Sequence, residues 1–206
     1  MRILPCGETA LLVECDSAAE VAPLHALLAT AALPVTELVP AERTVLVRLA
    51  DPAQRESVAS RLAVLLTQPL PLPPAAAPDH TLTVEVHYDG DDLAGVGSLT
   101  GLTPEAVVAA HTGRPWRVAF SGFAPGFAYL TSTPWRFDVP RRTTPRVRVP
   151  AGSVALAAEF SGVYPRESPG GWQLIGRTQL EVFDVARRPA ALLRPGVRVR
   201  FRSVLP

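Results

Sequence analysis

Arg141, Arg142, Arg146 and Arg148 fall within eight residues of a stretch punctuated by Pro140, Pro145 and Pro150. A guanidinium presents a planar fork of donors that matches a carboxylate or a phosphate. In an extended segment Arg146 and Arg148 project from one face, and prolines brace Arg146 on both sides. Such a cluster suits a small carboxylic acid or an acyl phosphate; the alternatives are a solvated basic face or a subunit contact. Two further blocks share this mixture of Gly, Pro and aromatics. In Gly122-Phe123-Ala124-Pro125-Gly126-Phe127 the rings flank a Pro-Gly turn, either walling a pocket or plugging the end of a barrel. Tyr164, Pro165, Ser168, Pro169, Gly170, Gly171 and Trp172 form a second rigid loop with a phenol and an indole, side chains favoured at ligand sites and interfaces.

Other chemistries find less support. Ser153 in AGSVA follows a glycine but lacks the second glycine of a nucleophile elbow, so it reads as a local hydrogen-bonding residue at a turn-to-strand transition. His25, His80, His87 and His111 are scattered without a metal-ligand spacing. His87, beside Tyr88-Asp89-Gly90, stands out most among them. Gly95-Val96-Gly97 is too short for a nucleotide fingerprint. All 20 basic residues are arginine, so neither a Schiff-base lysine nor a P-loop lysine is available in this chain. A net charge of +1 gives no electrostatic reason to expect nucleic acid or an acidic membrane as partner.

The elements that must hold these loops fall into two halves. Residues 69–78 (PLPLPPAAAP) are half proline, the composition of an extended, semi-stiff spacer. The predicted division is an N-terminal domain over 1–68, a linker over 69–79 and a second domain over 80–206. In the first half, residues 9–14 read as a strand, and Ser17 with Glu20 as a capping box before a helix carrying Val21, Leu24, Leu27 and Leu28. Residues 35–39 and 44–49 read as paired strands, and Asp51-Pro52 opens a second helix with Val58, Leu62 and Leu65 on one face. That order predicts a small α+β layer. In the second half, a strand over 81–88 precedes two short helices, near 91–99 and from Thr103 to His111. Short alternating runs separated by turn residues then predict an all-β sheet or closed barrel with shaped loops.

The hydrophobic content of 48% supports filled cores. Cys6 and Cys15 match no zinc spacing and read as two buried thiols of a reduced compartment. No apolar run approaches the ~20 residues that cross a bilayer, and Pro5 and Gly7 interrupt any signal-peptide core. The expectation is a cytoplasmic protein.

Taken in order, GFAPGFAYL, PRRTTPRVRVPAGSVAL and SGVYPRESPGGWQLIGRT resemble the C-terminal half of the 5-oxoprolinase B-subunit family, also called KipI-like or allophanate hydrolase subunit 1. CGETALLVECD is similar to the family's opening motif, with Glu8 where Asp is usual, and VEVHYDGDDLAGVGSLTGLTPEAVVAAHTG is similar to its middle segment. The resemblance covers nearly the whole chain. It implies a small N-terminal α+β domain followed by a C-terminal cyclophilin-like β-barrel. It further implies one component of a multi-subunit, ATP-dependent 5-oxoprolinase that opens 5-oxoproline (pyroglutamate) to L-glutamate. The partners implied are the A and C subunits of 5-oxoprolinase, and the ligand a small anionic substrate, 5-oxoproline or its phosphorylated form. On this reading ATP is used by the complex, no cofactor or metal is bound by this chain alone, and the chain alone is inactive.

The family's alternatives are a regulatory protein that inhibits a sensor histidine kinase and a carboxyltransferase component of a urea amidolyase type. Barrel shape alone suggests prolyl isomerisation, without the Phe-His-Arg signature that would support it. No catalytic residue transfers from the resemblance. The candidates for substrate or subunit contact are Phe123, Pro125, Phe127, Arg141, Arg142, Arg146, Ser153, Tyr164, Trp172 and Arg177. One departure from the family pattern is Phe160, where an amide, Gln, is usual ahead of the Tyr-Pro pair.

Overall fold

The computed structural model describes residues 1–71, 81–135 and 137–204. The chain divides into two compact units, Met1–Ala75 and Ala76–Pro206. The predicted spacer over 69–79 lies outside the described residues from residue 72 onward.

The first unit is a four-stranded antiparallel sheet in the order β1-β2-β4-β3, formed by β1 (Arg2–Cys6), β2 (Ala10–Glu14), β3 (Val35–Pro40) and β4 (Thr44–Leu49). Helices α1 (Val21–Thr30) and α2 (Arg55–Leu65) carry Leu24, Leu28, Val58 and Leu62 into a core with Val13, Val45 and Val47. Asp51 accepts the Ala53 N–H and Pro52 occupies the first turn of the short helix ahead of α2. At the start of α1 the expected capping box is displaced. Ser17 makes no side-chain cap, and Glu20 reaches back one residue further to accept the Asp16 N–H at 3.0 Å. Strand β1 is an addition to the sequence reading, tolerated despite Pro5 because it lies at a sheet edge. That edge position also leaves Cys6 exposed, so only Cys15 is a buried thiol.

The second unit is built on a seven-stranded sheet in the order β12-β9-β10-β7-β6-β13-β5. In chain order these are β5 (Thr81–Val86), β6 (Trp116–Ser121), β7 (Ala128–Thr131), β9 (Ser153–Ala157), β10 (Phe160–Val163), β12 (Gln173–Arg177) and β13 (Arg198–Ser203). A separate pair joins β8 (Arg146–Val149) to β11 (Ser168–Gly170). Alternating Val84, Val86, Val118, Leu130, Leu156, Ile175 and Phe201 fill the interior, as the period of two requires. Helices α3 (Leu93–Thr100) and α4 (Pro104–Thr112) follow β5, and Thr103 caps α4 by accepting the Ala106 N–H. The predicted alternation, helices and barrel-like sheet are all present.

The sheet nearly closes where β5 runs out. His87 and Arg177 exchange backbone hydrogen bonds at 2.9 Å, tying the end of β5 to the far edge strand β12. Two glycines permit this approach. A Cβ on Gly90 would sit 2.4 Å from the Leu174 carbonyl oxygen, and one on Gly176 would sit 2.5 Å from that of His87. The glycines of YDG and LIG therefore mark the seam of the barrel.

Candidate functional site

Across that seam lies Asp92. It stands at the N-terminus of α3, where a carboxylate would ordinarily cap the helix, yet its side chain makes no cap. It turns instead toward the proline-braced arginine loop. Arg146 holds it with both fork nitrogens, Nη1 to Oδ2 at 2.8 Å and Nη2 to Oδ1 at 2.9 Å. Arg142 Nη1 donates to Oδ1 at 2.7 Å, and the Leu174 N–H donates to Oδ2 at 2.7 Å. Burial by itself would push the Asp92 carboxyl up. The Arg146 fork, the Leu174 N–H and the two guanidinium charges outweigh it and hold the group below the usual carboxylate range.

The loop is fastened again by the Arg142 N–H on the Gly171 carbonyl at 2.7 Å and by Gln173 Nε2 on the Pro140 carbonyl at 2.9 Å. Arg146 thus commits its fork to Asp92, with Asp91 also 3.7 Å away, and Arg142 commits one nitrogen to Asp92. Arg148 pairs with Glu167 at 3.0 Å, and Arg141 is exposed without an ion pair among the described residues.

Beside this anchor the two Gly/Pro/aromatic loops meet. Phe127 is the hub, with the rings of Phe123, Tyr129, Tyr164 and Trp172 each 5.3 Å from it and set edge to face. Phe120 stacks on Tyr129 at 4.3 Å, and Phe160 meets both edge-on at 5.6 Å. Phe127, Phe160, Tyr164 and Trp172 are buried, so most of the cluster is packed interior.

Phe123 is different. It is 58% exposed, and its backbone sits at φ +67°, a conformation that a bulky residue adopts only when the surroundings impose it. Its ring leans on Phe127 and, at 6.2 Å, on Tyr164. The Tyr164 hydroxyl is raised by burial, with the Trp172 N–H and then the charge of Arg141 acting in the opposite direction. An exposed ring, the exposed Pro125 and the exposed Arg141 guanidinium therefore rim a firmly packed aromatic floor.

Among the sequence candidates, the fold gathers Phe123, Pro125, Phe127, Tyr164 and Trp172 on this patch and ties Arg142 and Arg146 of the arginine loop to Asp92. Two candidates take structural places instead. Ser153 is buried at the start of β9, where its carbonyl accepts the Tyr164 N–H. Arg177 pairs with Asp89 at 2.8 Å on the outer surface.

A second constellation was not legible as a unit. His111 is fully buried, with Nδ1 2.7 Å from the Tyr88 hydroxyl and Nε2 2.8 Å from Ser161 Oγ. Its ring stacks on Phe201 at 4.2 Å. Burial, reinforced by Arg114, lowers its pKa to about 3, so it is a neutral imidazole that donates to one neighbour and accepts from the other. Burial also raises the Tyr88 hydroxyl. His87, the histidine that stood out in the sequence, instead forms the barrel seam through its backbone.

Residues 1–193 match the family model described as Carboxyltransferase domain, subdomain C and D. The chain belongs to that family. Within it, 112 residues are 52% identical to the 5-oxoprolinase B subunit of Escherichia coli O157:H7, covering 54% of this chain and 51% of that protein. The chain thus spans about half the length of the curated relatives it matches. The crystal structure of the conserved uncharacterized protein PH0987 from Pyrococcus horikoshii is 32% identical, with a TM-score of 0.58, and the match covers 98% of this chain and 97% of that one. Kluyveromyces lactis urea carboxylase shares the fold, with a TM-score of 0.78 at 15% identity over 98% of this chain and 22% of the larger one. The carboxyltransferase-type α+β fold with its barrel-like sheet is therefore shared well beyond the range of close sequence identity.

Proposed function

We propose that this chain is the B subunit of a 5-oxoprolinase, which opens 5-oxoproline to L-glutamate with ATP and acts with the A and C subunits of that enzyme. The observation that carries the reading is the 52% identity over 112 residues to a protein of that name. The site is consistent with a shared role. Its arginine forks are committed to Asp92 within the chain, while the exposed Phe123 and Arg141 rim a rigid floor. That is the make-up of a surface completed by another polypeptide: an aromatic anchor with a charged neighbour. On this reading the chain alone is inactive, binds no cofactor of its own, and works in the cytoplasm on an anionic substrate that ATP activates elsewhere in the complex. No single helix among the described residues is long and apolar enough to cross a membrane.

The test is to co-express the chain with the A and C subunits and measure ATP-dependent glutamate release from 5-oxoproline. Release that requires all three supports the proposal. A complete, folded set that releases none overturns it.

A further inference from the structure

The outer face of the second unit carries an arrangement that the reading above does not use. In sheet register Thr81 lies beside Arg198, Arg198 beside Arg117, and Arg117 beside Thr131, a single row across β5, β13, β6 and β7. Arg200 lies beside Thr83 two positions along. These residues line an open cleft of about 810 Å³. All three arginines are exposed, and none makes an ion pair or side-chain hydrogen bond among the described residues.

Like charges directly opposite on neighbouring strands repel. Two positions further along the same strands the sheet neutralises such a charge, because Arg202 lies beside Glu85 and pairs with it. At Arg117, Arg198 and Arg200 the lining supplies hydroxyls and, among the described residues, no carboxylate. Cβ atoms of opposed residues stand roughly 5 Å apart, so Arg117 and Arg198 can close on one anionic group. Arg200 stands about 7 Å along its strand from Arg198, and two long, flexible guanidinium side chains at that spacing can converge on adjacent, linked groups. Phosphoryl oxygens only accept hydrogen bonds, and so take guanidinium and threonine donors together.

We propose that this cleft binds a diphosphate group, with Arg117 and Arg198 on one phosphoryl and Arg200 on the other. The inference does not rest on the 5-oxoprolinase reading. Two sources share this chemistry, free pyrophosphate and the diphosphate of a nucleotide.

The experiment is isothermal titration of the full chain with inorganic pyrophosphate and, separately, ADP, at constant ionic strength. Saturable pyrophosphate binding is expected, weakened tenfold or more in Arg198→Ala and unchanged in Arg202→Ala. ADP binding tenfold tighter than pyrophosphate would identify a nucleotide as the source, and equal or weaker binding the free anion; both uphold the site. Melting gives an independent readout. Arg117→Gln should raise the Tm without ligand, by removing the repulsion, and should lose the Tm increase that pyrophosphate gives the parent chain. Absence of saturable binding, or equal loss in Arg202→Ala and Arg198→Ala, overturns the proposal.

Discussion

Arg146 grips Asp92 with two parallel hydrogen bonds of 2.8 and 2.9 Å, and the grip joins the arginine loop to the strand–helix junction that closes the barrel. Asp92 is only 7% exposed, while the Arg146 side chain keeps 18% of its surface in solvent. The pair is therefore mostly desolvated, and its stability depends on keeping both partners. The loop that looked free to grasp a substrate is held from behind, and its shape is fixed before any ligand arrives.

Asp92→Asn tests that anchor. The substitution keeps the shape of the side chain but removes the buried counter-charge of two guanidiniums, leaving Arg146 only the exposed Asp91 at 3.7 Å. Breaking a buried pair by removing one partner costs about 3 kcal/mol or more. Urea denaturation should show a lower midpoint with an unchanged slope. Arg142→Ala should cost less, because its side chain is 36% exposed and Arg146 stays on the carboxylate.

Phe123→Gly separates stability from recognition. Glycine adopts φ +67° without strain, and the ring it removes is mostly in solvent. The melting temperature should hold or rise slightly. If Phe123 anchors a partner, affinity for the C subunit of the proposed complex should fall tenfold or more in a binding titration. Unchanged affinity would place the anchor elsewhere.

How much of this was readable beforehand follows from sequence distance. The arginine loop and both aromatic loops are local signals, since Gly, Pro and ring residues crowd together only where a loop is held in shape. Their partners are not local. Asp92 lies fifty-four positions before Arg146 and looks like an ordinary helix cap, so nothing in its own neighbourhood marks it as an ion-pair hub. Ser161 is likewise fifty positions from His111, and their contact exists only because β10 passes α4 in the fold. Strand β1 was hidden by its proline, which an edge strand tolerates and a central one would not.

The buried imidazole predicts a pH dependence with a definite sign. The His111 pKa falls from 6.5 to about 3 on folding, so below pH 6.5 the unfolded chain takes up a proton that the folded chain refuses. Its contribution is complete above pH 6.5 and is lost as pH falls toward 3, at up to about 1.4 kcal/mol per pH unit. Unfolding free energies measured between pH 7 and pH 4 should fall more steeply for the parent chain than for His111→Gln. Parallel curves would show that His111 does not carry the slope.

Phe160→Gln introduces the amide that the family resemblance implies at this position and asks whether the present phenylalanine serves packing. Phe160 is 5% exposed and lies edge-on to Phe120 and Tyr129. An amide in that setting loses ring contacts and must find partners for two donors and an acceptor; each unsatisfied buried group costs about 1–3 kcal/mol. The expected result is a lower denaturation midpoint, with the β10 strand intact by circular dichroism. Undiminished stability would mean that the aromatic floor can satisfy an amide. Phe160 would then be a position that accepts a polar side chain without repacking its neighbours Phe120 and Tyr129.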